Sequence, residues 1–362
     1  MTENNSIEID FLPVGEGSRC GDAIALRFGF YEDKIWKNQK IFIIDGGNSD
    51  SGDELVKHVK NVYKSDKVDR VILTHPDADH ASGLRNVIEE LQVGKIWMHR
   101  PWKYWDDLKN SIIDGRITKN SFTERMREAY QYAHDIEELA IQKNIEIFHP
   151  HQGDYYQEND KAILTILGPD KDFYLKLIQA SQKTPEMDLT ESITKSYTAT
   201  KKRTVLEDMS FDTENLSEND ETTSSENNMS LVLLLTVADY KILFTGDVGT
   251  EGLFNAITYA NSRSINLRDL NVLDIPHHGS RHNLSKGILK YINASSAAIS
   301  CSKKGEPSHP SNIVTNSLLR RGIVPYCTKG CLLNFHYGTV PLRDDLVLAN
   351  PIPFSSYVEI PI

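Results

Sequence analysis

The segment Thr74-His75-Pro76-Asp77-Ala78-Asp79-His80 constrains this chain more than any other. It follows Asp69–Thr74 (DRVILT), a short apolar run rich in branched residues that reads as a buried strand. Four side chains able to hold a metal, His75, Asp77, Asp79 and His80, fall within six residues. Alternate residues leaving a strand end can converge while the backbone turns over a common centre. Mixed imidazole and carboxylate donors suit Zn²⁺, Mn²⁺ or Fe better than the all-oxygen shells of Ca²⁺ and Mg²⁺. A merely polar loop is the plain alternative, and it does not call for four ligands in this order. The fold must therefore carry a strand end to a place where further ligands meet it.

The rest of the chain alternates strand and helix patterns. Ala23–Phe28 (AIALRF) and Lys40–Ile44 (KIFII) read as strands bounded by Gly, Asp or Asn. Leu55, Val56, Val59 and Val62 lie at helical spacing, and Leu84–Leu91 also reads as helix. Strand patterns return at Ala162–Leu167, Ser230–Val237, Lys241–Thr245, Asn271–Ile275 and Ala297–Ser300. This order predicts an α/β fold with helices packed on sheets, in a single domain over 1–362. Residues 97–145 hold Trp97, Trp102 and Trp105, then a long helical pattern over Ser121–Gln142, and are expected to form a helical insertion. Residues 183–228 are rich in Ser, Thr, Asn and acids, lack periodicity, and are expected to form a mobile acidic loop.

Charge and composition exclude several classes. The 362 residues carry a formal charge of -11, and eight acids lie within 207–226, leaving 43 acids against 40 bases elsewhere. A basic nucleic-acid footprint is absent at the level of the whole chain. No apolar run approaches the roughly 18 residues needed to span a bilayer. The opening MTENNSIEID has neither the basic nor the apolar region of a signal peptide. Four cysteines without a CxxC pair argue against a disulfide scaffold, so a cytoplasmic protein without membrane contact is expected.

Six further motifs join the first in order, and together they resemble the metallo-β-lactamase fold. His75-Pro76-Asp77-Ala78-Asp79-His80 resembles its H-x-[HD]-x-D-H signature. The Asp at the second position resembles the branch that includes the metallo-β-lactamase-like domain of bacterial competence (DNA-uptake) proteins and the phosphorylcholine esterases. Val14-Gly15-Glu16-Gly17 with Gly21-Asp22-Ala23-Ile24 resembles the V-G-x-G-D-A-I opening, interrupted by Ser18-Arg19-Cys20. Ile44-Asp45-Gly46-Gly47, Asn227-Asn228-Met229-Ser230-Leu231-Val232, Phe244-Thr245-Gly246-Asp247, Ile275-Pro276-His277-His278-Gly279-Ser280 and Ser308-His309-Pro310-Ser311 resemble the later motifs. The resemblance implies a four-layer αββα sandwich with two divalent metal ions, Zn or Mn, at one edge. By it, His75 and Asp77 would serve one ion, Asp79 and His80 the other, and Asp247 would bridge both. One of His277 and His278 would complete the second site, and spacing leaves open which. Asp45 would support the ligands through hydrogen bonds.

Two departures matter. Asn227-Asn228 stand where many relatives carry a third-motif histidine ligand, and His149 and His151 precede a different strand. A water or an asparagine would then fill in beside Asp77. Asp274 stands where the family commonly has Lys, which removes a positive charge near a phosphate site. The resemblance implies a metal-dependent hydrolase that uses a metal-held hydroxide, with phosphodiesters as substrates and a nuclease as the leading form. Asp79 would also orient the attacking water, and His309 would donate to a phosphate or leaving-group oxygen. A phosphodiesterase for a small nucleotide or phospho-headgroup is the alternative, favoured by the acidic charge and by an insertion able to cap a pocket. A non-catalytic binding or scaffold protein is the alternative from another class.

Overall fold

The computed structural model describes residues 5–15, 21–112, 114–158, 162–185, 202–218, 223–304, 309–344 and 346–361. In chain order its strands are β1 (Asn5–Phe11), β2 (Ala23–Glu32), β3 (Ile35–Gly46), β4 (Lys67–Ile72), β5 (Gln92–Trp97), β6 (Glu146–Phe148), β7 (Tyr155–Glu158), β8 (Ala162–Gly168), β9 (Lys202–Leu206), β10 (Val232–Val237), β11 (Tyr240–Phe244), β12 (Leu270–Asp274), β13 (Ala294–Ile299), β14 (Val324–Cys327), β15 (Leu333–Tyr337) and β16 (Tyr357–Pro361). The helices are α1 (Ser49–Asn61), α2 (Ala78–Glu90), α3 (Trp105–Leu108), α4 (Lys119–Ala129), α5 (Gln131–Gln142), α6 (Lys171–Ala180), α7 (Ser225–Asn228), α8 (Thr250–Ser262) and α9 (Asn312–Arg320).

Two seven-stranded sheets face each other. Their orders are β15-β1-β2-β3-β4-β5-β6 and β14-β13-β12-β11-β10-β8-β7. The alternation in KIFII explains how one strand serves two layers. Phe42 and Ile44 point into the layer between the sheets with Phe11, Leu233, Ile242 and Phe244. Ile41 and Ile43 point the other way, against Leu55 and Val59 of α1 and Leu84 and Val87 of α2. On the far side Leu253 and Ile257 of α8 and Val314 and Leu318 of α9 cover Leu243, Leu273 and Ile299. Three apolar layers thus separate four structural ones, in the order αββα.

Both sheets repeat one plan. Antiparallel strands come first, then a parallel run: β3, β4, β5 and β6 in one sheet, β11, β12, β13 and β14 in the other. Parallel strands end at one edge. Ile44 pairs with Ile72 just before Asp45 and Thr74, and Leu243 pairs with Leu273 just before Asp247 and His277. The topology therefore brings the ends of β3, β4, β11 and β12 together.

Two expectations need correction. The pattern over Ser121–Gln142 is two helices, α4 and α5, broken at Tyr130, whose ring is buried at the break. The described part of the acidic segment is structured. β9 pairs with β16, Glu207 forms an ion pair with Arg320 at 2.9 Å, and Glu214 forms one with Arg321 at 2.5 Å. These acids are ion-pair partners rather than a solvated run, which single-chain composition cannot distinguish. Residues 186–201 and 219–222 of that segment lie outside the described residues, as do Glu16 to Cys20 and Ser308.

Candidate metal centre

Glycines set the approach of the strand ends. A Cβ on Gly46 would lie 2.3 Å from the Leu84 nitrogen, and one on Gly83 would lie 2.0 Å from the Gly46 oxygen. Only bare backbone lets α2 rest on the turn after β3. That contact brings His80, in the first turn of α2, onto Asp45. Asp45 is fully buried and accepts from Thr74 N at 2.7 Å, from the Thr74 hydroxyl, and from His80 Nδ1 at 2.7 Å.

Four imidazoles surround Asp247, and the hydrogen bonds fix each ring the same way. His80 Nδ1 donates to Asp45. His75 Nδ1 lies 3.1 Å from the Thr74 hydroxyl oxygen, whose own proton goes to Asp45, so His75 is the donor. His278 Nδ1 donates to the Ser300 carbonyl at 3.0 Å. His277 Nδ1 lies 3.0 Å from Asn283 Oδ1. The Asn283 amide nitrogen is committed to the Asp247 and Val248 carbonyls, so its oxygen faces the ring and His277 is the donor. A neutral imidazole carries one N–H, so all four Nε2 atoms present lone pairs.

Those lone pairs point at a carboxylate. Asp247 Oδ1 lies 3.4 Å from His80 Nε2 and 3.6 Å from His278 Nε2. Asp247 Oδ2 lies 3.8 Å from both His75 Nε2 and His277 Nε2. His75 Nε2, His80 Nε2, His278 Nε2 and Asp247 Oδ1 are buried with no hydrogen-bond partner. Buried polar atoms are ordinarily paired, so acceptors that face acceptors mark a place for cations. The donor set divides at Asp247. Asp79, His80 and His278 offer three donor atoms within 4.8 Å of one another, on the Oδ1 side. His75, Asp77 and His277 lie on the Oδ2 side, with Asp77 Oδ2 3.9 Å from His75 Nε2.

Electrostatics agree with this reading. Burial holds the His75 and His278 imidazoles down at about 4, so both are neutral near pH 7. His80 goes the other way: burial opposes its charge, but Asp247 and Asp45 outweigh it and raise its pKa. The same two carboxylates would favour a cation held at its Nε2. Burial also pushes Asp22 up to about 6 and raises Asp274 strongly. Asp77 occupies the N-cap of α2, where an aspartate normally accepts from a backbone N–H, yet its side chain makes no cap bond. Its carboxylate turns to His75 and Lys183 instead.

The backbone is bent for the purpose. His277 and His278 adopt φ of 48° and 58°, a left-handed conformation that costs about 1–3 kcal/mol per residue. Two consecutive non-glycine residues there turn both rings toward Asp247 from one strand end.

Comparison with known proteins bears on the same residues. Residues 35–118 match the model of the metallo-beta-lactamase superfamily. The matched stretch contains Asp45 and the whole of the His75–His80 segment, and the αββα arrangement of two large sheets agrees with that fold. No curated protein matches the chain. Similar solved structures include a diphosphatase from the PhnP family (12% identity, 91% of this chain and 98% of that one, TM-score 0.40). A putative metallo-beta-lactamase from Thermotoga maritima is 13% identical over 74% of this chain and 94% of that one, with TM-score 0.34. CmlA, a diiron beta-hydroxylase from Streptomyces venezuelae, is 9% identical over 93% of this chain and 54% of that one, with TM-score 0.44.

The structure places His75, Asp77, Asp79, His80, Asp247, His277 and His278 around one point, with Asp45 beneath. His309 stands beside them, its ring 6.0 Å from that of His277 and 6.4 Å from that of His278. Of the two asparagines, Asn228 Oδ1 accepts from Gly249 N at 3.0 Å and is turned away, while Asn227 Nδ2 comes within 3.2 Å of His277 Nδ1. Both amide oxygens are already acceptors, Asn227 Oδ1 from the Ser224 hydroxyl and Asn228 Oδ1 from Gly249 N, while His277 Nε2 stands 3.8 Å from Asp247 Oδ2. Asp274 ends β12 with its carboxylate inside, accepting from Thr245 N at 3.2 Å, so it does not face a substrate. His149 and His151 lie in a separate group with His99 and Tyr104. Trp97 and Trp102 are core. Sequence reasoning overlooked Asn283, Ser300 and Lys183. Asp22 lies in the opening motif, and that was the one available signal for it.

Proposed function

We propose that this protein is a phosphodiesterase with two divalent ions, one held by Asp79, His80 and His278, the other by His75, Asp77 and His277, with Asp247 between them. The observation that carries the metal reading is the four Nε2 lone pairs directed at a buried carboxylate. When bound, such ions supply an activated water and offset the charge growing on a departing oxygen. The residues do the rest. Thr74, Asp45, Ser300 and Asn283 hold the four rings in the ligating tautomer. Asp79 lines an open cavity of about 200 Å³ with Val14, Asn48, Ser82 and Tyr132, and so stands between the centre and incoming substrate. His309, held at about 3 by burial and the neighbouring histidines, is neutral and offers one N–H to a phosphoryl or leaving-group oxygen.

The competence-like motifs support a nuclease. The cavity beside Asp79 supports a small phosphodiester, because Tyr132 of the helical insertion lines one side of it. End-labelled single- and double-stranded nucleic acids and a small diester such as bis(p-nitrophenyl) phosphate, each with Mn²⁺ or Zn²⁺ and a His75→Ala control, separate the two. Metal-dependent cleavage of the polymer supports the nuclease, and cleavage of the small diester alone supports the second reading. No cleavage of either by protein with metal bound rejects both. Metal analysis tests the ligand division: His278→Ala and His277→Ala should each lose one ion and keep the other.

A further inference from the structure

Asp77 Oδ1 accepts from Lys183 Nζ at 2.9 Å, while its other oxygen faces His75. The position of this lysine is built by three elements. Nζ lies 4.8 Å from the centre of the Tyr130 ring, at the break between α4 and α5. The Tyr130 hydroxyl bonds Ser181 at 3.1 Å and Glu226 at 3.3 Å, and Ser181 Oγ accepts from Lys183 N at 3.0 Å. Glu226 belongs to α7, next to Asn227, which reaches His277. The insertion, the end of α6 and α7 are thus tied together beside the centre.

An ammonium has three N–H donors and a charge that an aromatic face accommodates. Asp77 takes one donor, and the side chain of Lys183 is 38% exposed, so donor capacity remains open at the rim. Asp274, where the family's cation would be, is buried, and Lys183 brings a cation from a different element. We propose that Lys183, seated on Tyr130, forms an anion subsite on the His75–Asp77 side of the centre that takes a phosphoryl oxygen of the substrate. The identity of that anion rests on the phosphodiester reading.

Inorganic phosphate is the probe. Its dissociation constant for the Mn²⁺-loaded full chain would be measured by calorimetry for wild type, Lys183→Gln, Lys183→Met and Lys183→Arg, with metal content determined in parallel. Removal of the charge should weaken phosphate about tenfold with metal content unchanged, and Arg should restore most of the affinity. With any diester the wild type cleaves, KM should rise while kcat stays near wild type. Phosphate affinity equal to wild type, or no phosphate binding by loaded wild type, overturns the subsite. So does loss of phosphate in step with loss of metal, which would reduce Lys183 to a support for Asp77. Lys183-dependent phosphate binding without hydrolysis of any diester would instead remove the proposed reaction and leave the subsite standing.

Discussion

Two clusters of buried charge lie on this fold, and they are built on opposite principles. On the outer face of β1, Glu8 and Asp10 meet Arg27 and Arg343. Arg27 reaches Glu8 at 2.6 Å, and Arg343 reaches Glu8 at 2.8 Å and Asp10 at 3.0 Å. His58, Tyr63 and Asn334 also reach Asp10, each at 2.8 Å. Every carboxylate there has a protein cation. At the strand-end edge, Asp22, Asp45, Asp77, Asp79, Asp247 and Asp274 gather around imidazoles. Among ion pairs between described residues, the only Lys or Arg that reaches any of the six is Lys183. The first cluster is complete as folded. The second, on the proposed reading, takes its cations from solution. A buried acid cluster partnered by guanidinium groups carries its own cations, whereas one partnered by imidazoles with their lone pairs turned inward does not.

That contrast predicts opposite failures. Asp247→Asn should remove the shared carboxylate, empty the centre and lower diester hydrolysis by on the order of 10³-fold or more, with the thermal transition of metal-free protein little changed. Metal analysis and melting of the same sample check it, and a collapsed fold would make the centre structural instead. Arg27→Leu should do the reverse. It strips Glu8 of one of its two cations and should destabilise the fold by about 3–5 kcal/mol, while the folded fraction keeps its full metal content.

Acid should expose the ion pairs of the first cluster. Burial raises Asp10, but His58 and Arg343 outweigh it and hold the carboxyl at about 2. Unfolded, it titrates near 3.8, so the unfolded chain binds more protons between those values. This contribution is fully present above about pH 4 and is lost as pH falls toward 2, by about 2 kcal/mol. Melting curves of metal-free wild type and Asp10→Asn from pH 5 to pH 2.5 should converge as pH falls. Curves that stay parallel would mean that Asp10 has the same pKa folded and unfolded.

Legibility in the sequence followed chain distance. His75 to His80 sit in one hexapeptide, and His277 and His278 are neighbours, so their grouping could be read from spacing and type. Asp247 needed the order of motifs, because a Thr-Gly-Asp turn is common. The groups that orient the four rings were hidden. The Ser300 carbonyl belongs to a backbone position that any residue could supply. Lys183 stands 106 residues from Asp77, and only the packing of α6 against the insertion brings them together. The acids Glu207 and Glu214 looked like solvated charge because Arg320 and Arg321, their partners, lie more than a hundred residues on. Periodicity reports which face is buried. It does not report which polar residue another segment will meet.

Asn283 offers the finest test of the contrast, because it acts through a proton's position rather than through charge. Two amides compete for His277 Nδ1. Asn283 presents an oxygen at 3.0 Å and keeps the proton on Nδ1, which leaves Nε2 free for a metal. Asn227 presents a nitrogen at 3.2 Å, its own oxygen being taken by the Ser224 hydroxyl. If Asn283 is shortened to Ala, Asn227 becomes the stronger partner and favours the tautomer with the proton on Nε2, directed into the centre. Asn283→Ala should therefore weaken one ion about tenfold and leave the ion on the His278 side unchanged, the scale expected when a ligand's hydrogen-bond partner is removed. Adding Asn227→Ala should recover part of the loss. Equal weakening of both ions would show that Asn283 acts through the Asp247 backbone it also holds, and no recovery in the double variant would show that the Asn227 amide does not set the tautomer.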